Sequence, residues 1–125
     1  MGVTHIVACT GVNMPQYTDV FKYMKLDVQD NHMCDLLPFF PLTCDFIERA
    51  LTESKSNKVL VHCAAGISRS GAVAIAYMMF KEDWDFQTAW KKGQEGRKKM
   101  YPNLSFQTQL KVWDKELKFQ KAKSK

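Results

Sequence analysis

The chain has 125 residues, 46% of them apolar and 12% aromatic, which is enough to bury one core and excludes a disordered chain. Six Gly and four Pro exclude a fibrous or linker-rich protein. Net charge is +5 and uneven: residues 86–125 hold eleven Lys/Arg against three Asp/Glu, residues 1–85 seven against ten.

The basic half attracts anionic partners in general, but solvated helix faces account for it as well, and a nucleic-acid partner is not expected. No apolar run reaches the roughly 18–20 residues of a membrane span, Ala72–Phe80 being the longest. With no leader pattern at its start, the chain reads as a soluble protein of the cytoplasm or nucleus. Its four cysteines, at 9, 34, 44 and 63, form no CxxC pair and no zinc spacing with His. Reduced thiols are expected, with no metal and no cofactor.

Val3–Cys9 is short and β-branched and reads as a buried strand. Residues 10–19, with Gly, Asn and Pro, read as a loop. Phe21–Leu26 alternates around lysines as a second strand, and residues 27–34 are polar and loop-like. From Asp35 a helical pattern takes over, with Phe39, Phe40, Thr43, Phe46, Ile47, Ala50 and Leu51 spaced by three and four. Pro38 suits a first turn, and Pro41 delays or kinks the regular helix.

Lys58–His62 is nearly all apolar and reads as a central parallel strand. Arg69–Phe80 is apolar on every side, which predicts a helix buried in the middle of the fold. Asp85 caps a helix from Phe86 to about Lys99. Asn103 caps the last one, in which Phe106, Leu110, Trp113 and Leu117 step by four, three and four. Strands alternating with helices predict one α/β domain over 1–117, a central mostly parallel sheet flanked by helices, and a basic disordered tail over 118–125.

Chemistry concentrates between the buried strand and the buried helix, in Val61-His-Cys-Ala-Ala-Gly-Ile-Ser-Arg69-Ser-Gly71. The strand delivers Cys63 to the C-terminal edge of a parallel sheet, where α/β folds bind ligands. The small residues Ala64, Ala65 and Gly66 let successive amides point into one concavity. Such a nest at a helix N-terminus holds a tetrahedral anion and favours the thiolate of a cysteine at its centre. Arg69 adds a planar fork for two phosphate oxygens. Together these are the parts for phosphoryl transfer through a phosphocysteine. A Walker loop is excluded because no Gly-Lys-Ser/Thr follows, and no Asp/His cluster suits a two-metal phosphatase.

His62-Cys63-Ala-Ala-Gly-Ile-Ser-Arg69-Ser70 resembles the signature of cysteine-based protein phosphatases, and with Ala-Tyr-Met-Met after it resembles their dual-specificity subfamily. The resemblance extends over nearly the whole chain. Gly2-Val-Thr-His-Ile-Val is similar to an early strand of that family, Asp30 with Asp35-Leu36 and Phe39-Phe40 to its acid loop and following helix, and Tyr101-Pro102-Asn103 with Phe106 and Gln109-Leu110 to its last helix.

By this resemblance Cys63 is the nucleophile, Arg69 binds phosphate, and the amides of Ala64, Ala65, Gly66, Ile67, Ser68 and Arg69 complete the cradle. Ser70 stabilises the departing thiolate, His62 orients the loop, and Asn103 either ties the last helix to the phosphate loop or simply caps it. Asp30 matches the general acid, with Asp27 and Asp35 as rival carboxylates. Cys9, at the end of a strand beside the Cys63 strand, is a candidate disulfide partner, with a backdoor cysteine in a related lipid-phosphatase branch as its counterpart.

By the resemblance, a strand and a helix usually precede the Gly2-Val-Thr segment; either the chain is truncated or one sheet edge is bare, and a bare edge invites self-association. The resemblance implies a phosphatase acting on phosphotyrosine and phosphoserine/threonine in phosphoprotein substrates. The alternatives are a phosphoinositide or RNA 5′-phosphate phosphatase, against which the uncharged Ala64, Ala65 and Ile67 count, and a phosphoprotein-binding inactive relative, against which Cys63 and Arg69 count.

Overall fold

His5, Ile6, Val7 and Ala8 lie inside the protein from end to end and form strand β1, the middle of a three-stranded parallel sheet. This computed structural model describes residues 2–9, 21–26, 34–63 and 68–124. Strand β2 (Lys22–Lys25) and strand β3 (Val59–His62) flank β1, in register His5↔Lys22 and His5↔Val59. The expected central place of the Lys58–His62 strand is therefore corrected: among the described residues β3 is an edge, and its Leu60 is 45% exposed. An apolar run is needed on both faces of an inner strand, but it does not by itself say which of two such runs is the inner one.

Side chains alternate across the sheet. Val7, Cys9, Met24, Leu26, Val59, Val61 and Cys63 share the face that joins the helical core. A 3-10 turn, Leu37–Phe39, opens helix α1 (Phe40–Glu53), so the regular helix begins five residues after Asp35, as the prolines at 38 and 41 dictate. Helix α2 (Ser68–Glu82) follows β3, then α3 (Phe86–Gly96) and α4 (Leu104–Ser124). Helix α2 is the hub: α1, α3 and α4 all pack on it, and Ala72, Val73, Ile75, Ala76 and Met79 are buried. Its apolar surface on every side required this place.

Helix α2 ends at Glu82, and the next residue, Asp83, has a left-handed φ of 68°, a conformation that short polar residues tolerate best after Gly. Helix α4 runs on through Ser124, whereas a disordered tail was expected from residue 118. The extension has local support: Lys118 pairs with Asp114 one turn back at 3.4 Å, and Lys121 pairs with Asp83. Lys, Gln and Ala in this stretch are also good helix formers.

Between α3 and α4, Met100 is buried, and its carbonyl accepts the Trp90 Nε1–H at 2.9 Å and a Gln94 Nε2–H at 3.2 Å. Its side chain fills the space left by two glycines. A Cβ on Gly93 would come within 2.5 Å of Met100 Sδ, and one on Gly71 within 3.1 Å of Met100 Cγ. Gly93→Val should therefore overpack the seam and lower stability by about 1–3 kcal/mol, measured as the urea midpoint. An unchanged midpoint would show that this seam has room to spare.

Candidate active site

Parallel strands bring their C-terminal ends to one side of the sheet, and here β1 and β3 are each followed by a cysteine. The register Ala8↔His62 carries on one step, with the Cys9 N–H donating to the His62 carbonyl at 2.7 Å. Cys9 and Cys63 therefore follow matching positions on neighbouring strands and share the buried face, at 0% and 7% exposure. His62, half-buried at the end of β3, contributes that carbonyl.

The head of α2 closes on Cys63. Its thiol Sγ donates to Ser70 Oγ at 3.2 Å. Ser68, Arg69 and Ser70, all in the first turn of α2, are at most 8% exposed. The turn carries the positive end of the helix dipole, and the Cys63 sulfur lies beside it. The structure thus brings together Cys63, Ser68, Arg69 and Ser70. Ala64, Ala65, Gly66 and Ile67, expected to form the cradle, lie outside the described residues, as do Asp27 and Asp30.

Asn103 serves in both of its alternative roles. Its side-chain Oδ1 accepts the Phe106 N–H at 2.9 Å as the cap of α4, and its own N–H donates to Ser68 Oγ at 2.8 Å, tying α4 to the head of α2. Asp35, one of the rival carboxylates, accepts the Leu37 N–H at 3.3 Å and so borders the 3-10 turn. Gln109 was read only as part of a matching helix. Its Oε1 accepts the N–H groups of Leu36 at 2.6 Å and Leu37 at 2.8 Å, and its Nε2 donates to the Cys34 carbonyl at 3.0 Å and to Ser105 Oγ at 3.1 Å. No local spacing announces bonds that span 72 to 75 residues.

The chain as a whole has similar relatives. The family model for the dual specificity phosphatase catalytic domain matches residues 1–116. The chain belongs to that family. It is 38% identical over 116 residues to a probable dual specificity protein phosphatase of Dictyostelium discoideum, covering 93% of this chain and 29% of that protein. It is also 38% identical over 119 residues to the serine/threonine/tyrosine-interacting protein of Mus musculus, covering 90% of this chain and 52% of that protein. The crystal structure of the human tyrosine phosphatase-like serine/threonine/tyrosine-interacting protein superposes with a TM-score of 0.84 at 37% identity, over 92% of this chain and 78% of that one. The chain thus spans about half or less of these two curated relatives. Dual specificity phosphatases are cysteine-dependent hydrolases, and this chain carries Cys63 and Arg69 six positions apart. Among the described residues no helix is long and apolar enough to cross a membrane.

Two other buried thiols, Cys9 and Cys44, are linked to folding through their protons. Burial pushes Cys9 up to about 12, with Cys63 adding to the shift and Arg69 opposing it. Burial, with Glu48 adding to it, pushes Cys44 up to about 12 as well. Each thiol ionises near 9 when the chain unfolds, so between pH 9 and 12 the native state holds protons that the unfolded state has lost. Stability from these groups is complete below pH 9 and is lost as pH rises through that window. Replacing both with Ala should make the urea midpoint fall less between pH 8 and pH 11 than it does in the parent; equal falls would show that neither thiol is linked to folding.

Proposed function

We propose that this domain is a protein phosphatase that hydrolyses phosphotyrosine and phosphoserine/threonine through a phosphocysteine on Cys63. The observation that supports it most is the Cys63–Ser70 pair at the buried head of α2, with Arg69 between them in the chain. The Cys63 thiol first loses its proton to water; the thiolate attacks phosphorus, the bond to the leaving oxygen breaks, and Asp30 gives that oxygen its proton. Water then attacks phosphorus, Asp30 takes a proton from it, and the P–S bond breaks. Ser70 stabilises the departing thiolate with a hydrogen bond from its hydroxyl, which keeps its proton. Arg69 holds two phosphoryl oxygens, and the amides of residues 64–69 hold the charge that develops on them.

A second reading draws on the name of the similar mouse protein, an interacting protein: a phosphoprotein-binding domain without turnover. One experiment separates the two. The parent should release phosphate from phosphotyrosyl and phosphothreonyl peptides, and Cys63→Ser should release none yet still bind them, because Arg69 survives. Binding without turnover by the parent would establish the second reading. Parent activity only on a phosphoinositide or a 5′-phosphorylated RNA would replace the protein substrate.

The same reading assigns Cys9 to protection of the nucleophile. Peroxide oxidises the Cys63 thiolate to a sulfenic acid with release of hydroxide. The Cys9 thiol then attacks that sulfur, a disulfide forms, and water leaves. A sulfenic acid is neutral, so the charge on Cys63 that raises Cys9 disappears while Arg69 still lowers it. Peroxide-treated protein should yield a Cys9–Cys63 peptide by mass spectrometry, and the parent should recover more activity on thiol addition than Cys9→Ser. Equal recovery with no linked peptide would remove Cys9 from this role.

A further inference from the structure

The positive charge gathered in residues 86–125 has no part in the chemistry at Cys63, and α4 shows where much of it stands. Residues three and four apart on a helix share one side. Phe106, Leu110 and Trp113 turn one side of α4 into the core. The opposite side carries Leu104, Thr108, Lys111, Val112, Lys115 and Phe119, all of them exposed.

Two features separate this strip from an ordinary solvated helix face. Its apolar side chains are large and open, Leu104 at 66% exposure and Phe119 at 64%, with Val112 between them at 39%. Its charges are of one sign. The acidic residues of the helix, Asp114 and Glu116, flank the strip on either side, and Asp114 is engaged with Lys118 at 3.4 Å and with the Phe86 N–H at 3.3 Å. Among the described residues neither Lys111 nor Lys115 is in an ion pair. Lys123 reaches back over the Phe119 ring, 5.4 Å from its centre, and the loop before the helix adds the exposed Arg97, Lys98, Lys99 and Tyr101.

The shape decides what such a strip can meet. From Leu104 to Phe119 it runs about 22 Å at 1.5 Å per residue, along the crest of a convex rod. A peptide is held in a groove or on a strand edge. The cavities beside α4 are lined by Trp113, Leu117, Gln120 and Lys121, from its inward side and not from the strip. A broad, flat anionic surface touches the crest along its whole length. It takes up the three apolar side chains while the lysine stems lie along it and their ammonium groups reach phosphate.

We propose that the outward side of α4 binds the anionic face of a lipid membrane, on which the domain lies without spanning it. Leu104 directly follows Asn103, whose N–H donates to Ser68 Oγ at 2.8 Å, so the strip begins beside the head of α2. A domain bound in this way keeps Cys63 close to the lipid surface.

The test sediments the full chain with vesicles of phosphatidylcholine alone and of two parts phosphatidylcholine to one part phosphatidylserine. The mixed vesicles should carry the protein down and the neutral ones should not, with binding falling steeply as salt rises. Lys111→Glu with Lys115→Glu should weaken binding more than about twentyfold, at about fivefold for each lysine lost. Phe119→Ser should weaken it about tenfold at unchanged charge. Lys25→Glu with Lys55→Glu, at exposed positions on β2 and in the turn after α1, changes the net charge equally and should bind nearly as the parent does. Inorganic phosphate at constant ionic strength should release nothing, which separates the strip from the head of α2.

No binding to the mixed vesicles, an equal loss in the Lys25 and Lys55 variant, unaltered affinity with Phe119→Ser, or release by phosphate would each overturn the site. Tighter binding to polyglutamate than to the mixed vesicles would overturn the membrane in favour of an acidic protein partner.

Discussion

The first turn of α2 must be polar and must be buried, and the rest of the domain is arranged around that conflict. Ser68, Arg69 and Ser70 are nearly inaccessible, and a guanidinium taken out of water costs several kcal/mol even after its surroundings relax. The remainder of the same helix offsets that cost. Ala72, Val73, Ile75, Ala76 and Met79 are buried against three other helices, and each large apolar side chain contributes about 1.5–3 kcal/mol. The hydroxyls are bound rather than merely enclosed: Ser70 to Cys63, Ser68 to the amide of Asn103. A helix that were amphipathic in the ordinary way would leave one face in water, and its first turn with it.

Much of this was legible because it is local. Cys63, Arg69 and Ser70 lie within eight residues, so a strand, a run of small residues and a helix start suffice to bring them together. The all-apolar pattern of α2 announced its central position for the same reason. The sheet was less legible. Val3–Cys9 and Lys58–His62 are both short and apolar, and the choice of which lies inside is made by pairing and by what covers each face, which neither run encodes. The end of α4 was misread because a Lys-rich stretch looks the same whether it frays or is held; the ion pair that holds Lys121 comes from Asp83, in another element. Gln109 was the least legible of all, since a polar residue on a helix face gives no sign that its partners are 72 to 75 residues away.

The two cysteines at the strand ends show how little the strand itself decides. Cys9 and Cys63 follow matching positions on adjacent parallel strands, face the same way and are both buried. Only Cys63 faces the head of a helix with a hydroxyl at 3.2 Å. Burial is the largest cause that pushes the Cys9 thiol up to about 12, with Cys63 adding to it and Arg69 opposing it. Two equivalent thiols are thus set apart by the element that meets each strand end. A strand-end cysteine is chemically specified by its loop and helix, which explains why the motif is read across the strand–helix junction and not from the strand.

Helix α4 answers a problem that local capping does not solve. Asp35, within the Cys34–Leu37 segment, accepts the Leu37 N–H at 3.3 Å, but a bond inside the segment leaves its position relative to α2 undetermined. Drawing the cap from a helix already bonded to Ser68 satisfies the amides and sets that position at once. The cost is a residue with no freedom to vary, since all four hydrogen-bonding capacities of the Gln109 carboxamide are in use. Met100 does the matching work on the apolar side, seated at Gly71 and Gly93 so that the segment leading into Asn103 has one place to lie. The polar tie and the apolar seat act on the same short stretch, 100–103. A change in either one therefore reaches the head of α2 without touching a residue that meets substrate.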